Sequence, residues 1–349
     1  MAGVRFAGDV SVPFVPCSER EIKYFRGDVE GYWTKMSCYK RALLTSNLSW
    51  HLREDAMALK LSPSEQLAHS TVRIECQLAN GQTGTGTGFF YRFAEREGIH
   101  VPAIVTNKHV VAGARKGKFL MTLADADGDP IQQSHHAFLF DNFETMWIQH
   151  PEKDVDLCAM PIAPILEAAN KESKRLFYVS LDKSLIPSKA EYDEMVLMEE
   201  ITMVGYPNGI WDKVNNMPVF RRGITATHPN LDWNGKSEFL IDAACFPGSS
   251  GSPVFLFNQM GYATKSRGMT IGPTRIKLLG VLYAGPQHTV SGEIKIVAVP
   301  TQNVPVALSS IPNNLGMVIK ATRLEAFEEL FRKILDAEIQ ANKQKKPTQ

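Results

Sequence analysis

From Ser64 onward the chain reads as short runs in which polar and apolar residues alternate. Thr71 to Leu78 keeps a period of two, the pattern of a strand with one face buried. Phe89 to Phe93, Lys118 to Leu123 and Ala137 to Phe140 read as further strands, with a glycine–threonine hairpin region at Gly81 to Gly88. Ala103 to Val111 is an apolar strand ending in polar residues, and Glu144 to Ile162 completes this first set. Residues 163–200 carry more charge and read as a linker, with a helical piece near Pro164 to Lys174. Ile201 to Pro207 opens a second set. Short strands at this spacing predict closed β architecture.

Two segments break the pattern. Residues 1–60 mix Tyr24, Phe25, Tyr32, Trp33, Tyr39 and Trp50 with charges at irregular spacing and do not read as barrel strands. Glu30 to Leu61 has room for one or two helices. Their aromatic content argues against disorder. Arg323 to Lys343 places Leu324, Phe327, Leu330, Phe331, Ile334, Leu335 and Ile339 on one helical face, which predicts a C-terminal helix docked on the body.

Length and composition narrow the function classes. The 349 residues suit two packed barrels with additions. Hydrophobic content is 44%, and 38 basic against 37 acidic residues leave a net charge of +1. No strong field is implied, so neither nucleic acid nor a charged membrane surface is expected as partner. The five cysteines, Cys17, Cys38, Cys76, Cys158 and Cys245, are an odd and scattered set. That is a poor disulfide framework and points to a reducing, cytoplasmic setting. Met1 to Pro16 has no continuous apolar core, so no signal peptide is expected, and no run is long enough for a transmembrane helix. No metal or other cofactor is expected. The Cys and His residues lack ligand spacing, and Gly84-Thr85-Gly86-Thr87-Gly88 lacks both the dinucleotide spacing and the phosphate-binding lysine.

The candidate chemistry lies in Phe246-Pro247-Gly248-Ser249-Ser250-Gly251-Ser252-Pro253. A serine hydroxyl at such a glycine turn can attack, and the N–H groups of Gly248 and Ser250 can cradle the resulting oxyanion. A Gly/Ser/Pro cluster before an apolar run is also an ordinary turn. What separates the two is a base and its orienting acid. His109 ends the apolar strand Ala103 to Val111. The other candidates are weaker: His135-His136 reads as a loop pair, His150 and His228 precede surface-like segments or proline, and His100 and His288 lie at strand ends. Asp156 heads the apolar run Leu157 to Ile162, with Asp154 as its rival two residues earlier. The chain order His, Asp, Ser is one of those known for the serine-protease triad.

These pieces together resemble the chymotrypsin-fold (trypsin-like) serine peptidases, in their bacterial HtrA-like branch. The resemblance is carried by Gly84 to Phe89, Thr106-Asn107-Lys108-His109-Val110-Val111, Asp156-Leu157-Cys158-Ala159, Asp242 to Pro253, and Gly280 to Gly285. It covers about residues 65–310. It implies a mainly β fold of two six-stranded antiparallel β-barrels, with an N-terminal extension and a C-terminal helix. The domains expected are an extension over 1–63, a first barrel over 64–162 carrying His109 and Asp156, a linker over 163–200, a second barrel over 201–310 carrying Ser250, and a helix and tail over 311–349. No PDZ-like stretch follows the barrels.

The same resemblance implies roles. Ser250, His109 and Asp156 are the expected triad, and Gly248, Ser249 and Ser250 the oxyanion loop. Ala244, Cys245 and Phe246 are the expected walls of the specificity pocket, with Tyr283, Ala284 and Gly285 as the edge that pairs with substrate backbone. Ala244 stands where an acid would favour Arg or Lys, and Leu282 where glutamate-specific relatives carry histidine. An uncharged, small-to-medium apolar side chain before the cut is therefore expected. Ser249 replaces the acid that pairs with a freshly cut N-terminus, so activation by N-terminal cleavage is not expected. Ser252 departs from the usual glycine. The function implied is a serine endopeptidase acting through an acyl-enzyme on protein or peptide substrates. The alternatives are a catalytically silent protease-fold binding module, and a protease active only with a regulatory partner bound through residues 1–63.

Overall fold

The structure, a computed structural model, describes residues 4–6, 11–12, 61–96, 98–272, 274–285, 287–291, 308–312 and 314–345. It is mainly β. The strands of the first half are β1 (Val4–Phe6), β2 (Ser11–Val12), β3 (Thr71–Leu78), β4 (Thr83–Arg96), β5 (Ile99–Thr106), β6 (Ala114–Ala124), β7 (Pro130–Asp141), β8 (Ile148–Gln149), β9 (Cys158–Pro161) and β10 (Leu176–Phe177). Those of the second half are β11 (Glu200–Gly205), β12 (Val219–Thr225), β13 (Glu238–Asp242), β14 (Pro253–Asn258), β15 (Gly261–Thr264), β16 (Gly268–Ile271), β17 (Arg275–Ala284), β18 (Gln287–Ser291), β19 (Leu308–Pro312) and β20 (Leu315–Lys320). The helices are α1 (Pro63–Ala68), the single turn α2 (Lys108–Val111), α3 (Ala163–Lys171), α4 (Lys189–Glu194) and α5 (Glu325–Lys345).

The period-two reading of Thr71 to Leu78 matches β3, whose Val72, Ile74 and Cys76 point into the core. The first ten strands form one sheet in the order β2-β1-β7-β6-β3-β4-β5-β9-β8, with β10 added to β6. Its hydrogen-bonded path is open, but β3 to β7, β9 and α3 share one apolar core that includes Ile74, Phe90, Phe119, Phe138 and Trp147. The second half closes into a barrel, β11-β12-β13-β20-β17-β14, filled by Met203, Phe239, Ile241, Val254, Leu256 and Val318.

A third apolar cluster lies where the two units meet. Phe89, Tyr91, Val105 and Leu157 of the first sheet pack with Val204, Phe255 and Val281 of the barrel. Helix α5 seals this seam, as its one-sided apolar pattern predicts. Phe327 and Phe331 are buried, and both rings pack against Phe93.

The structure differs from the sequence reading in four places. Strand β20, inside the expected helix and tail over 311–349, is a stave of the second barrel, because it fills the gap between β13 and β17 and pairs with both. Residues 4–6 and 11–12, in the segment expected to hold no strand, extend the sheet because β7 offers an unpaired edge to β1. Within the expected linker, β10 pairs with β6 in the same way, Leu176 opposite Leu123. His135 and His136 are strand residues of β7, opposite Thr122 and Met121, since the β6–β7 hairpin runs on well past its apolar stretch. The remainder of the expected extension over 1–63, up to residue 60, lies outside the described residues. Among the described residues no helix is long and apolar enough to cross a membrane.

Candidate active site

The register of β5 on β9 assembles the first half of the site. Thr106 lies opposite Cys158 at the end of the pair. The chain that continues from Thr106 and the chain that arrives at Cys158 therefore overhang the same end. They carry His109, on the turn α2, and Asp156. The His109 ring Nδ1 meets Asp156 Oδ2 at 2.5 Å, and the His109 N–H donates to Asp156 Oδ1 at 3.1 Å. Both carboxylate oxygens are thus engaged by one residue. Asn107 donates its side-chain N–H to the Asp156 carbonyl at 2.8 Å. Asp154 lies exposed on the same loop and makes no such contact among the described residues. With Nδ1 held by the carboxylate, Nε2 is the nitrogen left to face a substrate.

The second half is the loop before β14. Gly248 and Gly251 both have φ of +87°, a conformation that side-chain-bearing residues avoid. Close approach adds to the requirement. A Cβ on Gly248 would lie 2.7 Å from the Tyr206 carbonyl, and one on Gly251 would lie 1.9 Å from that of Thr87. Among the described residues, neither the Gly248 N–H nor the Ser250 N–H donates a hydrogen bond. Ser249 behaves differently. Its N–H closes the turn onto the Phe246 carbonyl at 3.0 Å, and its side chain is buried. The expected oxyanion group therefore loses Ser249, whose N–H is used inside the loop. Gly248 and Ser250 keep free donors.

Thr87 of β4, fully buried, joins the halves. Its N–H donates to the Ser250 carbonyl at 2.9 Å, and its hydroxyl donates to the Gly248 carbonyl at 3.0 Å. The same hydroxyl accepts the Tyr206 N–H at 3.1 Å, while Thr106 donates to the Thr87 carbonyl at 2.6 Å. Ser250 Oγ donates to the Tyr283 carbonyl at 3.4 Å. Among the described residues no hydrogen bond joins Ser250 to His109. Catalytic hydrogen bonds often lengthen without substrate and tighten in the complex.

Of the expected substrate residues, Tyr283 is the one that bonds to Ser250 among the described residues. Tyr283 occupies a bulge between Leu282 and Ala284, which frees its carbonyl for Ser250 and sends its hydroxyl to the buried Glu238 at 2.9 Å. Burial, reinforced by Glu238, pushes the Tyr283 phenol well above its ordinary range. Cys245, Leu282 and Ile241 close in on Gly316. A Cβ there would lie 2.6, 2.7 and 3.0 Å from them. Cys245 is a buried thiol, pushed up to about 11 by burial. Ala244 is half-buried, and Phe246 carries the Arg221 guanidinium over its ring at 5.0 Å. The departure at Ser252 is housed by Gly205. A Cβ on Gly205 would lie 2.1 Å from Ser252 Oγ, so the Ser252 side chain occupies space that any side chain at 205 would need.

Beyond the quoted motifs, sequence reading did not assign Thr87, Lys108, Gly205 or Gly316. Thr87 and Lys108 lie inside motifs already singled out, but only the fold shows what they touch. A groove of about 450 Å³ runs beside His109, lined by Cys76, Leu78, Gln82, Thr83 and Val110. Among the described residues no cluster of three His, Cys, Asp or Glu is placed to hold a metal ion.

No curated protein matches the sequence. Among solved structures, the serine endoprotease from Yersinia pestis is 13% identical, aligned over 77% of this chain and 64% of its own, with a TM-score of 0.39. The HtrA-type protease AlgW with tripeptide is 14% identical over 77% of this chain and 61% of its own, with a TM-score of 0.37. The chain thus spans less than two thirds of the length of either. The model of the trypsin-like peptidase domain matches residues 86–262, just over half of the 349, and the chain belongs to that family.

Proposed function

We propose that this protein is a serine endopeptidase that hydrolyses peptide bonds through Ser250, His109 and Asp156. The observation that carries the reading is the pairing of His109 with Asp156 on the first sheet, beside a barrel loop that offers a hydroxyl and two undonated N–H groups. His109 Nε2 takes the Ser250 proton as Oγ attacks the scissile carbonyl carbon. The carbonyl oxygen becomes an oxyanion and is received by the Gly248 and Ser250 N–H groups. The imidazolium, steadied by Asp156, returns the proton to the departing amine, leaving an acyl-enzyme. Water repeats the sequence, its proton passing to His109, and the acid product leaves as Ser250 regains its hydrogen.

The substrate is a protein or peptide. On the β17 edge opposite β20, pairing with β14 ends at Val281, and Leu282 bonds to Gly251 and Ser252. Beyond it, Tyr283 to Gly285 offer an edge to which a peptide can add as a strand. The apolar walls at Cys245, Leu282 and Ile241 favour a small-to-medium uncharged side chain before the cut. The buried free thiols Cys76, Cys158 and Cys245 suit a reducing compartment. A second reading, a peptidase completed by substrate or a partner at residues 1–63, is favoured by the Ser250 hydroxyl, which bonds to Tyr283 instead of His109.

The test is labelling with a fluorophosphonate, followed by mapping of the adduct. The expected result is one adduct per chain, on Ser250, lost in Ser250→Ala and strongly slowed in His109→Ala. An unlabelled chain, or a label on another serine, overturns the reading.

A further inference from the structure

Lys108 stands between the histidine and the loop that carries the acid. Its ammonium donates to the carbonyls of Glu152 and Lys153, at 3.0 and 3.3 Å. With Asn107 on the Asp156 carbonyl and the His109 N–H on its carboxylate, three consecutive residues grip the loop over 152–156. The far side of the loop is held separately. His150 accepts the Glu152 N–H at 3.1 Å, and Arg323 pairs with the Glu152 carboxylate. The loop is closed at its base by the His150 N–H on the Leu157 carbonyl at 2.9 Å, and inside it the Val155 and Leu157 N–H groups bond to Glu152 and Val155. The outside holds add to this closure and fix where the loop lies against His109.

Lys108 also brings charge. It is half-buried, and burial lowers its ammonium, while attraction chiefly from Asp156, and also from Cys158 and Asp154, pulls the other way. Asp156 is in turn felt by the Tyr283 phenol on β17. Asp154, Cys158 and Tyr283 are among the ionisable groups around Lys108 and Asp156, and Arg323, paired with Glu152, is a second cation on the same loop.

We propose that Lys108 is a positioning residue of this site, holding the acid loop where Asp156 can orient His109 and lending its positive charge to the pair. The proposal rests on the serine-peptidase reading above. A lysine that only closed a surface loop would affect melting and nothing else. One that positions the pair affects turnover and the pH at which His109 works.

The test compares Lys108→Met with Lys108→Arg in the full chain. Two readouts are taken: peptide hydrolysis across pH, and the titration of the His109 ring by NMR of histidine-labelled protein. Loosening the loop should lower kcat in Lys108→Met by about tenfold or more, with KM nearly unchanged, as small misplacements of catalytic groups do. Loss of the cation favours the protonated ring, whereas loosening of Asp156 disfavours it, so a rise in the acid limb and the His109 titration marks the charge role and a fall marks the holding of Asp156. Lys108→Arg should restore most of both. Should Lys108→Met melt too early to assay, Lys108→Gln carries the same expectation. Unchanged kcat together with an unmoved titration in the neutral variants overturns the proposal, as do equal defects in Lys108→Arg and Lys108→Met. If the wild-type chain cleaves no peptide, the peptidase reading fails, and the His109 titration still decides the role of Lys108.

Discussion

The Thr87 N–H donates to the Ser250 carbonyl at 2.9 Å, tying the candidate nucleophile to the sheet that carries His109 and Asp156. Two units that met only through apolar contact could slide by an ångström at little cost. Directional bonds from one buried threonine to Ser250, Gly248 and Tyr206 remove that freedom.

Thr87→Val keeps the shape and removes the hydroxyl. The Gly248 carbonyl and the Tyr206 N–H then lose their partner inside the protein. The expected cost is about 1–3 kcal/mol of stability. Turnover should fall more than substrate binding. Thr87→Ser should recover most of the loss. Urea melts and steady-state kinetics check this, and a Thr87→Val protein with unchanged kcat would count against the clamp.

Asp156→Asn should cost about four orders of magnitude in kcat/KM, because the amide cannot hold His109 in the same tautomer. Asp154→Asn should lie within a fewfold of wild type, since that side chain is exposed. Kinetics on the two purified variants decide between the carboxylates, and the reverse order would transfer the role to Asp154.

Gly205→Ala drives a methyl into Ser252 Oγ, 2.1 Å away, with Thr87 Oγ1 2.7 Å away. Overpacking of this kind costs roughly 1–3 kcal/mol. Adding Ser252→Gly should return part of that stability, so the double variant should be more stable than Gly205→Ala alone. Strictly additive losses in a double-mutant cycle would show that the two positions do not share the space.

Acid should destabilise the fold through its buried histidines. His150 accepts the Glu152 N–H at Nδ1, so Nε2 carries the proton given to the Arg323 carbonyl. Burial above all holds its protonation below the ordinary 6.5. The unfolded chain therefore binds the extra proton first. Stability is full above pH 6.5 and declines as pH falls from there towards the folded-state value. His150→Asn keeps a side-chain acceptor and does not titrate here. Its melting temperature should fall less steeply over the same range, though His69 and His100, also lowered by burial, leave some slope. Parallel curves for the two proteins would refute the assignment to His150.

Thiol chemistry gives an independent check. Cys76 and Cys245 are pushed up to about 12 and about 11 by burial, and burial raises the Cys158 thiol as well. The thiolate is the reactive form, so all three should resist iodoacetamide near pH 8 in the folded protein and react in urea. Dithiothreitol should leave the melting temperature unchanged. Fast labelling of Cys245 in the folded chain would mean that the packing around Gly316 opens in solution.

The sequence by itself determined the local features. Period-two alternation announced the strands, one-sided apolar spacing announced α5, and the glycines at 248 and 251 announced a loop with backbone that other residues avoid. These are legible because each depends on a few consecutive residues and their intrinsic preferences. The order of His109, Asp156 and Ser250 was legible for the same reason, being carried by short motifs. Only the tertiary structure decided what those residues touch. The β5–β9 register put Asp156 and not Asp154 on the His109 ring. The turn at Phe246 to Ser249 engaged the Ser249 N–H within the loop and left those of Gly248 and Ser250 without a partner among the described residues. The unpaired edge of β7 drew residues 4–6 into the sheet, and Gly205 made room for Ser252. Each of these outcomes depends on distances between chain segments far apart in sequence, set by strand register and by the fit of one core against another, and no local pattern encodes them.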